Sequence, residues 1–531
     1  MTDDAARSRG GDERLVEATS VVGSMTLLSR VTGLARDIAF SAWFGSGPVM
    51  DAFAVAFKIP NLLRRFFAEG AFAQAFVPVI SEYRTHRSHA ETRELVSHVA
   101  GALGLGLFVV TAVGVVAAPL LILLFAPGFT GQEGQFELAV DMLRFTLPYV
   151  LFVSLTALAG SVLNAHRRFA VAAFTPVLLN VVMILFAGWV GPLLERPALG
   201  VAAGVFVAGV VQLAFQLPFL RRLDLLPRPR VRLGHEGVRR IMKLMVPALF
   251  GSSVAQISIL LDTLIASFLL AGSISWLYYS DRLVEFPLGV FGIALATVIL
   301  PRLSEQHAKQ SPQTFSATLD WALRLVLVIG VPAAVGLAML AEPLMATLFL
   351  RGEFTQRDVE MCVASLRAYA PGLLGFILVK VLAPGYFARQ DTRTPVRVGV
   401  QALALGMALS AAFVVVLLRT GWAPAHAGIA AATACSALVN ATLLLAGLKR
   451  QGVYRAGRGW LALSARTAVA NVVMVLAVAA GLEVAGDWFV MSSLARAGVL
   501  TALVGGGAAV YFAACRLVGL RASELKVQSV V

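Results

Sequence analysis

Two adjacent arginines, Arg64 and Arg65, stand inside "PNLLRRFFAEGAFAQAFVP" (60–78), a stretch otherwise apolar enough to lie in a bilayer. Three more charges, Arg30, Arg36 and Asp37, fall deep in the first apolar run. Arg30 is about 14 residues, or roughly 21 Å, beyond its entry at 1.5 Å per residue. Arg282 lies in a later run, preceded by Asp281 and followed one turn later by Glu285. A lone arginine at mid-bilayer costs roughly 3 kcal/mol on insertion scales and roughly 10 or more in simulations. Helical spacing offers partial relief: Arg30 and Asp37, seven apart, share a face, and Arg282 can reach Glu285 at i,i+3. Arg64 and Arg65 have only Glu69 nearby in sequence, so the first two runs carry excess cation at depth. Lipid contact cannot account for that excess; a hydrated cavity can. A guanidinium holds phosphate oxygens bidentately and cannot lose its charge, so the expected chemistry is capture of a phosphate-bearing anion.

Long apolar helices must position these groups. Of 531 residues 58% are hydrophobic and only 14% charged, and the mean hydropathy is +0.80. Apolar runs of bilayer length recur from end to end, which predicts an all-α polytopic membrane protein. Reading runs between polar breaks gives fourteen helices, among them 16–45, 51–82 and 241–271, with Gly33, Pro60, Gly70 and Pro287 as break points. One alternate set of breaks, with both tails, carries 28 Lys plus Arg and the other set carries four, which predicts both termini in the cytoplasm. The net charge of +14 is then mainly an orientation signal. The polar start "MTDDAARSRGGDERLVEATS" is expected to be a cytosolic tail and not a signal peptide.

The chain also repeats itself. "FVPVISEY" (76–83) matches "ILPRLSEQ" (299–306), and "LRFTLP" (143–148) matches "LRAYAP" (366–371), both at an offset of 223. Two parallel lobes of six helices follow: 16–220 and 241–448, joined by a basic linker, 221–240. A further pair of helices occupies 449–515, with cytosolic tails at 1–15 and 516–531. A site at the lobe interface is the usual transporter plan. The linker "RRLDLLPRPRVRLGHEGVRR" is also positioned to touch anionic headgroups.

No HExxH, Walker motif or activated nucleophile is present, so enzyme chemistry has no visible home. Cys362, Cys435 and Cys515 read as small core residues, and "GALGLG" (101–106) as close packing within a membrane run.

Three stretches then bring in a family. Residues 24–83, "SWLYYSDRLVEFPLGVFGIALATVILPRLSE" (275–305) and "VLAPGYFARQDTRTPV" (381–396) closely resemble the MurJ/MviN family of bacterial lipid II flippases, in the MOP exporter superfamily. The resemblance covers essentially the whole chain. It implies fourteen helices, a cationic central cavity between two lobes, and a groove at helices 13 and 14 for a lipid tail. The implied activity is transfer of the undecaprenyl-diphosphate-linked peptidoglycan precursor, lipid II, from the cytoplasmic to the periplasmic leaflet by alternating access. The family's cavity positions fall on Ser29, Arg30, Arg36, Asp37, Asp51, Arg64, Arg65, Ser275, Arg282 and Glu285. Some members bind sodium in the second lobe, for which Asp262 and Asp391 are the candidates here. Implied partners are lipid II, membrane lipids and other cell-wall synthesis proteins, with no nucleic acid, in the bacterial inner membrane. Membrane potential or an ion gradient is the expected energy source. The competing readings are a flippase for another prenyl-linked saccharide and a membrane glycosyltransferase using prenyl diphosphates. The second would need a catalytic acid in a sizeable outward loop, and the outward loops are short.

Overall fold

Backbone hydrogen bonds must close within each segment where no water is present, so apolar runs of this length fold as helices. The computed structural model describes the backbone of residues 2–66, 71–232 and 234–520, and their side chains outside 2–20, 71, 73, 246–259 and 293. Glu69, Gly70 and residues 521–531 of the expected C-terminal tail lie outside the described residues.

Helices are the whole regular structure among these residues, in two compact units, 1–271 and 272–531. The first contains α1 (Thr2–Phe44), α2 (Pro48–Arg64), α3 (Ala71–His86), α4 (His89–Val116), α5 (Ala118–Phe125), α6 (Gln135–Thr146), α7 (Tyr149–Ala165), α8 (Phe169–Leu185), α9 (Ala198–Arg222) and α10 (Glu236–Ser267). The second contains α11 (Ser273–Pro287), α12 (Ile293–Ala308), α13 (Pro312–Leu325), α14 (Val331–Met339), α15 (Ala341–Phe349), α16 (Gln356–Phe387), α17 (Arg393–Arg419), α18 (Ala427–Arg450), α19 (Trp460–Ala485) and α20 (Ser493–Leu517).

Eleven helical stretches among the described residues are long and apolar enough to span a membrane, which makes this a multi-pass membrane protein. They correspond to eleven of the fourteen expected helices. The other three are 16–45, 51–82 and 241–271. The charges Arg30, Arg36 and Asp37 lie in α1 and lower its hydropathy. The expected 51–82 helix is two described segments, α2 and α3. The third lies in α10, part of whose side chains are outside the described residues.

The sequence repeat falls on comparable elements. Helices α3 and α12 are each 16 residues long, and Ser88 before α4 and Ser311 before α13 stand at the sequence offset of 223. The expected lobes meet at 221–240, but the compact units divide after Ala271, because α10 packs against α3, α4 and α5.

The linker between α9 and α10 is strapped along α4. Backbone N–H groups of Arg228 and Arg230 donate to Oγ and O of Ser97, each at 3.2 Å, and Arg93 pairs with Asp224 at 3.2 Å. Gly101 lets the strand approach, since a Cβ there would overlap the Arg230 backbone.

Helix α1 runs unbroken through Gly33, and α2 through Pro60. Pro60 has no N–H for the carbonyl four residues back, that of Ala56. The buried hydroxyl of Thr146 on α6 donates to that carbonyl at 2.9 Å, so the helix survives. Pro332 deprives Val328 in the same way, within a wide turn at Val326–Gly330, and the Tyr511 hydroxyl on α20 donates to it at 2.6 Å. Pro287 behaves as expected: α11 ends on it, and a wide turn, Leu288–Gly292, leads into α12.

In the second unit α16 packs against α11, α12, α14, α15 and α18, and the α19–α20 pair lies on α14 and α15. That pair is pinned at both ends. Asp320 on α13 takes hydrogen bonds on Oδ1 from Tyr454 (2.8 Å), Gly457 N (3.0 Å) and Trp460 Nε1 (2.7 Å), and on Oδ2 from Arg324 Nε (2.7 Å). At the other end buried Arg496 donates to the carbonyls of Ala346 and Leu350 at the C-terminus of α15, where a cation suits the helix dipole.

Candidate substrate site

Helix α1 presents its charges at two levels. Arg36 and Asp37 are buried, at 6% and 2% exposure. Nε and Nη2 of Arg36 donate to Asp37 Oδ1 at 3.0 and 2.7 Å, and Nη1 donates to Oδ1 of Asn180 on α8 at 3.0 Å. The Asn180 amide nitrogen donates in turn to Ser29 O and Thr32 Oγ1, both at 3.2 Å. The guanidinium lies 5.9 Å from the Phe40 ring centre. These hydrogen bonds tie α1 to α8.

Arg30, a turn and a half earlier, differs. It is half-buried, and among the described residues it has no hydrogen bond, ion pair or ring contact. The spacing argument put Asp37 on its face; the structure gives Asp37 to Arg36. Neighbouring residues do not face each other on a helix, but the arginine stem is long enough to curl back onto the next carboxylate.

On α2, Asp51 sits buried in the first turn, where the free N–H groups favour a carboxylate. Arg64 occupies the last turn, half-buried, with Nε 3.2 Å from Asn61 Oδ1, and exposed Arg65 follows as the C-cap. Lys58, two turns before, donates from Nζ to Thr263 Oγ1 on α10 at 2.8 Å.

In the second unit Arg282 pairs with Glu285 at 2.8 Å, as the i,i+3 spacing predicts, and lies 4.8 Å from the Tyr278 ring centre. Ser275 is wholly buried in α11. Asp391 engages Thr394 with both oxygens, Oδ1 to the backbone N at 3.0 Å and Oδ2 to Oγ1 at 2.6 Å. These bonds hold its carboxyl below the usual range and make it the cap of α17. Asp262 is half-buried on α10, in the first unit.

The expected residues therefore separate. Arg36 pairs with Asp37, Arg282 pairs with Glu285, and Arg30 makes no ion pair among the described residues. Sequence reasoning missed Asn180, Lys58 and Tyr278. Asn180 is the single amide in "TPVLLNVVMILF", and Lys58 the single charge in "DAFAVAFKIP" after Asp51; each was visible as a polar residue isolated in an apolar run.

The fold is shared with solved membrane proteins. It matches a solved structure titled "Lipid II flippase MurJ, inward closed conformation" with a TM-score of 0.74 at 24% identity, covering 93% of this chain and 98% of that one. A multidrug resistance MATE family transporter of the MOP superfamily, inward-facing, matches with a TM-score of 0.62 at 15% identity over 82% of this chain and 98% of that one. The model of the lipid II flippase MurJ family matches residues 40–498. The "Probable lipid II flippase MurJ" of Vibrio cholerae is 47% identical over 97% of this chain and 98% of its own length. The "Lipid II flippase MurJ" of Burkholderia cenocepacia is 43% identical over 84% of this chain and 86% of its own. The chain belongs to the MurJ lipid II flippase family.

Proposed function

We propose that this protein moves lipid II, the undecaprenyl-diphosphate-linked peptidoglycan precursor, from the cytoplasmic to the periplasmic leaflet of a bacterial inner membrane. It is then a transporter and not an enzyme, with both termini in the cytoplasm. The observation that carries the reading is likeness over nearly the whole chain to relatives named for that substrate.

The charges supply the chemistry. Arg30 is the group best suited to take a phosphate oxygen, because none of its donors is spent inside the protein among the described residues. Arg64, at the end of α2, and Arg282, tempered by Glu285, are the proposed second and third contacts. Fixed guanidinium groups replace the water around the diphosphate, so the head avoids the cost of entering hydrocarbon bare. Alternating access through a cationic cavity is the proposed route, with the prenyl tail beside α19 and α20. Charges that cross part of the membrane field make the cycle respond to voltage, at about 2.3 kcal/mol per unit charge per 100 mV. For a sodium ion Asp262 and Asp391 are the proposed candidates; Asp262→Asn or Asp391→Asn should then change any sodium dependence.

The test is precursor flipping in cells whose only flippase is this chain. Replacing Arg30, Arg64 and Arg282 together by Ala should leave the precursor on the inner leaflet. Normal flipping by that triple variant would discredit the reading.

A further inference from the structure

Where the linker crosses α4, three side chains of the first unit converge. Glu94 and His98 lie one turn apart on α4, His235 caps α10, and one ligand atom from each lies within 4.8 Å of the other two.

The hydrogen bonds set the state of His98. Its Nδ1 is 3.1 Å from the carbonyl oxygen of Arg230. A carbonyl only accepts, so Nδ1 carries a proton and the neutral ring offers the Nε2 lone pair. That lone pair faces Glu94 Oε1 at 3.4 Å. Two acceptors held face to face need a positive charge between them, either a second ring proton or a metal ion. The geometry favours the metal. An outer N–H donated to a backbone carbonyl is how metal-bound histidines are usually held. Bonds of roughly 2.0–2.1 Å in a tetrahedron separate neighbouring ligand atoms by about 3.4 Å, which is the spacing Nε2 and Oε1 already have.

His235 stands over this pair with its ring centre 4.9 Å from that of His98. Its ring supplies the third ligand atom of the cluster. Its Nδ1 now accepts the Gly237 N–H at 3.2 Å as the cap of α10. Ligation through Nδ1 replaces that bond, and ligation through Nε2 moves the ring proton to Nδ1 and ends it. Either way, metal uptake is coupled to the first turn of α10.

We propose that Glu94, His98 and His235 form a three-ligand site for a divalent transition-metal ion of the zinc class, with a fourth position open to water. Two imidazoles and one carboxylate suit zinc and disfavour calcium or magnesium, which take oxygen shells. Such an ion fastens the linker and the start of α10 to α4.

The test uses tag-free full-length protein in nanodiscs, titrated with zinc chloride against a chromophoric chelator. One ion per chain should bind, with calcium unable to compete. Affinity should fall by about tenfold or more in His98→Gln, His235→Gln and Glu94→Gln, each checked for an unchanged metal-free melting temperature. His86→Gln and His89→Gln, at exposed positions nearby, should bind as the parent does. X-ray absorption at the zinc edge should show nitrogen and oxygen ligands near the bond lengths above. Zinc uptake that is absent, or equal in the parent and in His235→Gln and Glu94→Gln, would overturn the proposal. So would NMR showing His98 protonated on both nitrogens at neutral pH with zinc present, since a proton then fills the gap.

Discussion

Nη1 of Arg36 lies 3.0 Å from Oδ1 of Asn180, across the packing of α1 on α8. The arginine's other two nitrogens go to Asp37, so one buried guanidinium is satisfied by one acid and one amide on two helices. Asp37→Asn removes the countercharge and should cost about 3–5 kcal/mol, as breaking a buried pair does. Asn180→Leu removes the bonds with Arg36 Nη1, Ser29 O and Thr32 Oγ1 and should cost about 1–3 kcal/mol. Thermal unfolding in detergent measures both, and a melting point unmoved by Asp37→Asn would refute the structural role.

Arg30 should behave in the opposite way. Its replacement by Ala breaks no hydrogen bond or ion pair within the described residues, so stability should change by about 0.5 kcal/mol or less. Flipping should nevertheless fall sharply, and Lys should restore only part of it, since an ammonium cannot bind bidentately. Loss of stability together with loss of transport would mean the residue is structural after all.

Asp320 gathers four hydrogen bonds, three of them from the segment that leads into α19. Asp320→Ala should free residues 451–459, which limited proteolysis in the membrane would register as new cleavage there. Stability should drop by several kcal/mol, on the order of 3, because four donors lose one acceptor group together. Resistance to protease equal to the parent's would count against the clamp.

His426 stands just before α18 at 1% exposure. Nε2 donates to the Met361 carbonyl at 3.0 Å, the ring lies 5.0 Å from that of Trp276, and Nδ1 is buried without a partner. Burial pushes its imidazole down to about 4 from an ordinary 6.5. The unfolded chain therefore binds a proton that the folded chain refuses between those values. Stability is complete above about pH 6.5 and declines as the pH falls toward 4, by about 3 kcal/mol in all. His426→Gln should flatten that part of the melting-temperature profile, and an unchanged slope would exclude His426 as its source.

Much of this was legible before any coordinates. Run length and charge spacing gave the helical membrane class and the Arg282–Glu285 pair, because those depend on local periodicity alone. Helical spacing put Arg30 and Asp37 on one face, but that is a rule about Cβ positions, and the long Arg36 side chain doubles back to take Asp37 instead. The fate of Pro60 depended on Thr146 from another helix, which no local rule contains. Lobe membership of α10 was hidden for the same reason: the repeat aligns it with α1, but its packing partners are α3, α4 and α5.

The hydroxyl that Tyr511 lends to the Val328 carbonyl ties together two places 183 residues apart. Pro332 creates the vacancy, and a phenylalanine at 511 would leave a bare oxygen where no water can reach it. Neither position is then at liberty to drift alone. Lineages that keep the proline should retain a donor at 511, and those that lose the proline should relax the tyrosine, so the pair ought to surface as correlated change wherever related sequences are compared.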